Sequence, residues 1–101
     1  MNSRPPMTVE QYKEMGDTFR EQGRYDDALR AYDMALQLNP NDAVAHNNAG
    51  LALAKLNKYG DALQAYDRAL RIDRNYADVY LRHGSKALDS VNVKQPSAPH
   101  L

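Results

Sequence analysis

The strongest constraint on this chain is that it resembles itself at a fixed offset. Shifting the segment 43–76 back by 34 residues places Gly50 on Gly16, Tyr59 on Tyr25, Asp61-Ala62-Leu63 on Asp27-Ala28-Leu29, and Ala65-Tyr66-Asp67 on Ala31-Tyr32-Asp33. Ala69-Leu70 then falls on Ala35-Leu36, and a forward shift places Gly50 on Gly84. A constant period of this length is the mark of stacked repeats. One unit cannot bury its apolar side alone and leans on the next.

Length and charge narrow the options further. A chain of 101 residues is one small domain, of which roughly 80 residues carry periodic pattern. The 13 basic and 13 acidic side chains balance. There is therefore no basic footprint for a phosphate backbone, and nucleic acid is not an expected partner. Cysteine is absent, which excludes disulfides and thiolate chemistry. No apolar run approaches the roughly 18 to 20 residues that cross a bilayer, so membrane insertion is not expected and a cytoplasmic location is the default.

The apolar periodicity predicts five helices. Residues 1–7, with Pro5 and Pro6, read as a disordered lead-in. Thr8 and Gln11 have capping-box spacing, and Tyr12, Met15, Gly16 and Phe19 form one stripe of a helix ending near Gly23. A second helix, Tyr25 to Leu38, buries Ala28, Leu29, Tyr32, Ala35 and Leu36. Pro40 stops it, and Asp42 is placed to cap a third helix running from Ala43 to about Leu56. The fourth spans about Tyr59 to Ile72. Asn75 is read as the cap of a fifth, from Tyr76 to about Asp89 or Ser90, and 91–101 as an unstructured tail.

These residues resemble the tetratricopeptide repeat (TPR) pattern, W-x2-L-G-x2-Y…A-x3-F…P, over roughly residues 9 to 90. The first copy shows it at Tyr12, Met15, Gly16, Phe19, Ala28, Tyr32 and Pro40. The second shows it at His46, Ala49, Gly50, Leu53, Ala62 and Tyr66, with Arg74 in place of proline, and the third at Tyr80, His83, Gly84 and Ala87. The resemblance implies an all-α, right-handed solenoid. Its domain would span 8–90: repeats 9–42 and 43–76, then a capping partial repeat 77–90. Close approach of the paired helices is expected where Gly16 meets Ala28 and Gly50 meets Ala62, with Tyr32 and Tyr66 filling the gap to the next unit.

The resemblance also implies a concave, peptide-binding groove lined by the first helix of each pair. Its residues here would be Glu10, Lys13, Asp17 and Arg20, then Val44, Asn47, Asn48, Leu51 and Lys55, then Asp78, Leu81, Arg82 and Ser85. Family members that bind chaperone tails hold the terminal carboxylate with two lysines, two asparagines and an arginine. Lys13, Asn48 and Arg82 match that clamp, whereas Asp17 replaces an asparagine and Asp78 a lysine. Such a swap exchanges attraction for repulsion, near 2 kcal/mol for a pair about 4 Å apart in water, so the clamp is degenerate. Val44, Leu51 and Leu81 among charges suit a peptide or helix with one or two apolar anchors.

The reading is thus a non-catalytic protein–protein interaction module, a TPR adaptor or scaffold, with a protein or peptide partner. The alternatives are a self-associating module, a homodimer held through Leu81 and Leu88, and a chaperone-tail-binding cochaperone. No cofactor or metal is implied. His46 and His83 occupy packing positions, His100 is in the tail, and no phosphate loop or nucleophile–base pair appears. Asp26 and Asp27 favour a helix N-terminus, and Asp33 and Asp67 a solvated face.

Overall fold

The computed structural model describes residues 7–84. Four regular helices form in chain order: α1 Val9–Glu21, α2 Tyr25–Leu38, α3 Ala43–Lys55 and α4 Tyr59–Ile72. They pair as α1 with α2 and α3 with α4, and α2 packs on α3 to join the two units. No strand occurs among the described residues. The all-α repeat architecture read from the sequence is the one observed.

Local chemistry explains each boundary. The Thr8 hydroxyl accepts from the Gln11 N–H at 3.1 Å while the Gln11 side-chain carbonyl accepts from the Thr8 N–H at 2.9 Å, the reciprocal box that the spacing predicts. At the other end of α1, Gly23 adopts φ +78°, and its N–H donates to the Arg20 carbonyl at 3.0 Å while Arg24 N–H reaches the Phe19 carbonyl at 2.8 Å. This is a Schellman ending. The same ending recurs after α3, with Asn57 at φ 63° and bonds of 3.0 Å from Asn57 to Ala54 and 2.9 Å from Lys58 to Leu53. Each first helix therefore stops slightly short of the predicted end, at Glu21 and Lys55.

The fifth helix departs most from expectation. It begins with a 3-10 turn over Arg74–Tyr76, becomes α-helical over Ala77–Val79 (α5), and continues as a π-helix over Tyr80–Gly84. Asn75 is not its cap: the Asp73 carboxylate accepts from the Asn75 N–H at 3.0 Å. The reason is a missing side chain. In the first unit the Asn39 side-chain oxygen accepts from Asn41 N–H at 3.2 Å, and Asp42 then caps α3 by accepting from Ala45 N–H at 3.0 Å. In the second unit Tyr76 stands at the place of Asp42 and supplies no side-chain cap. The predicted helix beyond residue 84, including Ala87 and Leu88, and the predicted 1–6 and 91–101 segments lie outside the described residues.

The interior is built from small side chains. Nine alanines and two tyrosines, Tyr32 and Tyr66, make up the buried apolar residues among those described, so helices approach closely and the two rings supply most of the bulk. The glycine contacts differ from the expected pairing. A Cβ on Gly16 would lie 2.5 Å from Tyr32 Cε1, and one on Gly50 would lie 2.6 Å from Tyr66 Cε1. Each tyrosine thus lays its ring against the glycine of its own unit, and the ring, ahead of Ala28 or Ala62, supplies the nearest atoms to the space the missing side chain leaves.

Candidate functional site

The faces of α1 and α3 meet through polar side chains. Lys13 Nζ donates to Asp42 Oδ2 at 2.9 Å and lies 3.2 Å from Glu10 Oε2. Burial disfavours the Asp42 anion, but hydrogen bonds from Lys13 and the Ala45 N–H, with the Lys13 charge, outweigh it and hold the carboxyl below its ordinary range. Burial likewise opposes charge on Lys13, and its bonds to Asp42 and Glu10 prevail and raise its pKa. Lys13 is only 13% exposed. Its charge is neutralised within the protein.

A second cluster centres on Asp17. Its Oδ1 accepts from the Tyr32 hydroxyl in a short bond, from Asn48 Nδ2 at 3.1 Å and from Arg20 Nη2 at 3.4 Å. Arg20 Nε also donates to the Tyr32 oxygen at 3.1 Å. Burial, then the neighbouring Asp17 carboxylate, push the Tyr32 hydroxyl up to about 12, so it remains a donor at neutral pH. Donors from α1, α2 and α3 thereby converge on one carboxylate oxygen. It ties the two units together across the site.

The remaining predicted groove residues are arranged differently. Asn47 is half-buried, with its amide nitrogen 3.5 Å from the Asn48 side-chain oxygen. Val44 is 42% exposed and Leu81 67% exposed, while Leu51 is half-buried. Lys55, Asp78 and Arg82 are exposed, and Ser85 lies outside the described residues. One repeat step carries Asp17 to Leu51, Asn48 to Arg82 and Arg20 to Ala54. The polar cluster therefore has no counterpart in the second unit, which offers aliphatic surface instead. The face is polar and largely bonded to itself around Asp17, whereas toward the fifth helix aliphatic side chains stand among the exposed charges of Lys55, Asp78 and Arg82.

Two participants were hidden in the sequence. Tyr32 recurs as Tyr66 and reads as a core ring, whereas its hydroxyl donates to Asp17. Asp42 reads as a helix cap and is also the counter-ion of Lys13. The available signal was the acid at position 17, whose counterpart one repeat on is Leu51.

Elsewhere, no group of three or more metal-ligating side chains occurs among the described residues, and none of their helices is long and apolar enough to cross a membrane. His46 is half-buried with its Nε2 donating to the Pro40 carbonyl at 2.9 Å. It holds the inter-unit turn.

Comparison with known proteins agrees with this architecture. A TPR-repeat family model matches residues 16–57, and a tetratricopeptide-repeat model matches residues 43–76. The chain is 41% identical over 39 residues to the Hsp70-Hsp90 organising protein of Plasmodium falciparum, a match covering 39% of this chain and 7% of that protein. Among solved structures, the first TPR of Spaghetti (RPAP3) bound to HSP90 peptide SRMEEVD superimposes with TM-score 0.71 at 24% identity, covering 89% of this chain and 83% of that one. MamA protein gives 0.65 at 20% identity, covering 93% and 61%.

Proposed function

Since the chain belongs to the tetratricopeptide repeat family, we propose that it is a non-catalytic adaptor holding a peptide or helix of a partner protein against the groove of α1, α3 and the fifth helix. The observation that carries this reading is exposed aliphatic surface at Val44 (42%) and Leu81 (67%), with half-buried Leu51 on the same predicted face. A guest with one or two apolar anchors gains by covering them, at about 25 cal/mol for each Å² removed from water.

The structure of the Spaghetti TPR contains an HSP90 peptide, which supports a peptide as the class of guest. A carboxylate-clamp mode has less support here. Lys13 is committed to Asp42 and Glu10, and Asn48 donates to Asp17, so an incoming carboxylate meets a resident one. The guest is held by apolar contact with Val44, Leu51 and Leu81, and the exposed Lys55, Asp78 and Arg82 select its flanking charges. The exposure of Leu81 also favours a second reading, a homodimer in which a copy of the chain covers it.

The test is photo-crosslinking from a benzoylphenylalanine placed at Leu51, with Gln37 as the control position, followed by calorimetry on the captured segment. Val44→Glu and Leu81→Glu should each weaken binding by about tenfold or more, while Lys13→Ala changes it little. Equal affinity across these variants removes the groove reading. Loss on Lys13→Ala alone favours the clamp, and a dimer dissociated by Leu81→Glu favours self-association.

A further inference from the structure

The outer side of the first unit carries a second apolar surface, away from the groove. Tyr12, Met15, Phe19, Ala31 and Met34 line a shallow cleft of about 180 Å³ between α1 and α2. Met15 is 36% and Met34 40% exposed. Moved forward by one repeat of 34 residues, these five positions become His46, Ala49, Leu53, Ala65 and Arg68. Those residues line the cleft at the junction of the two units, and its opposite wall is Leu29, Asp33 and Leu36 of α2.

The protein thus displays what seats on this surface wherever a neighbour is present: a helix, applied through side chains at i, i+4 and i+7, which lie on one stripe two turns long. A repeat face needs a polar outer side to remain uncovered, and this one is apolar at its centre with a charged rim. Arg24 lies 4.6 Å over the Phe19 ring, and Asp27 accepts from Arg24 at 2.9 Å and from Arg30 at 2.7 Å. A copy of this chain does not offer the matching stripe free. Its counterpart on α4, Leu63, Asp67 and Leu70, is half-buried, and the fifth helix packs on α4.

We propose that this face docks an amphipathic helix supplied by a partner protein, with aliphatic side chains at i, i+4 and i+7. The middle position is aliphatic because Met34 stands where Arg68 shares the junction cleft with Asp33. The docking is independent of the groove and leaves it open, so one adaptor engages two segments at once.

The probe is a fluorescein-labelled peptide of residues 24–39 of this chain with Asp33→Leu, titrated with the intact protein and read by anisotropy. Saturable binding below about 1 mM is expected, weakened at least about tenfold by Met15→Glu with Met34→Glu and unchanged by Val44→Glu or Leu81→Glu. Leu29→Ser with Leu36→Ser in the peptide should abolish it. Met15→Ser with Met34→Ser, checked by circular dichroism, is the milder pair should the glutamates unfold the chain. Absence of saturation overturns the proposal, as does sensitivity only to the groove variants. So does light scattering that shows the intact protein dimerising through Met15 and Met34.

Discussion

Alanine at Gly16 and alanine at Gly60 are the same chemical change with opposite expected results. A Cβ at Gly16 would lie 2.5, 2.7 and 2.8 Å from three ring carbons of Tyr32, against about 3.5 to 4.0 Å for a comfortable carbon contact. Tyr32 is 0% exposed, so the ring moves only by disturbing its surroundings. Overpacking of this kind costs about 1 to 3 kcal/mol. Displacing the ring also loosens the hydroxyl bond to the Asp17 carboxylate, worth about 1.5 to 3 kcal/mol. The helix preference for alanine over glycine returns about 1 kcal/mol. The net loss is about 1.5 to 5 kcal/mol, which for a domain of this size lowers Tm by on the order of 10 °C or more.

Gly60 lies in the first turn of α4, and a Cβ added there would meet nothing within 4 Å. The helix preference then acts alone, and Tm should rise by a few degrees. Thermal and urea melts by far-ultraviolet circular dichroism read both variants. Adding Gly16→Ala to a Tyr32→Leu background should cost much less than in the wild type, with a coupling of about 1 kcal/mol or more. A Gly16→Ala protein that melts with or above the wild type would refute the ring contact and the close approach built on it.

Other expectations follow from the site and the helix ends. Asp42→Asn keeps the cap on α3 but removes the counter-ion of Lys13, and should cost about 1.5 kcal/mol at neutral pH. The Asp42 pKa is lowered from 3.8 on folding, so its contribution is complete above that value and is lost as pH falls through the lower folded value. Urea midpoints of variant and wild type should therefore converge in acid, and a pH-independent gap would count against the ion pair. Asn57→Gly relieves a left-handed residue at φ 63° but forfeits the Tyr59 hydroxyl bond at 2.7 Å. That bond is exposed, so a gain of about 0.5 kcal/mol is expected, whereas Gly23→Ala at φ +78° should lose about 1 kcal/mol. Equal melts for the two would show that the left-handed endings carry no strain. Ala62→Leu, at a fully buried position, should cost about 1 to 3 kcal/mol, and an unchanged melt would contradict the packing of α3 on α4.

What the chain wrote plainly in its sequence was most of what depends on neighbours along it, the onset of the fifth helix at Asn75 excepted. The offset of 34 residues, the apolar stripes, the Thr8 box and the turn at Pro40 determine four helices, their pairing and the repeat family, because hydrogen bonding and helical periodicity act over a few residues. Tertiary structure alone decided how those helices spend their polar atoms. Lys13 and Asn48 look like groups waiting for a ligand until Asp42, 29 positions away from Lys13, and Asp17, 31 positions away from Asn48, are found on them. Spacing along a chain carries no distance between helices, so neither bond could be read beforehand. The nearest neighbour of the glycine was hidden for the same reason: periodicity identifies a small residue on the buried side, but only the crossing of α1 and α2 brings the Tyr32 ring closest to the space it leaves.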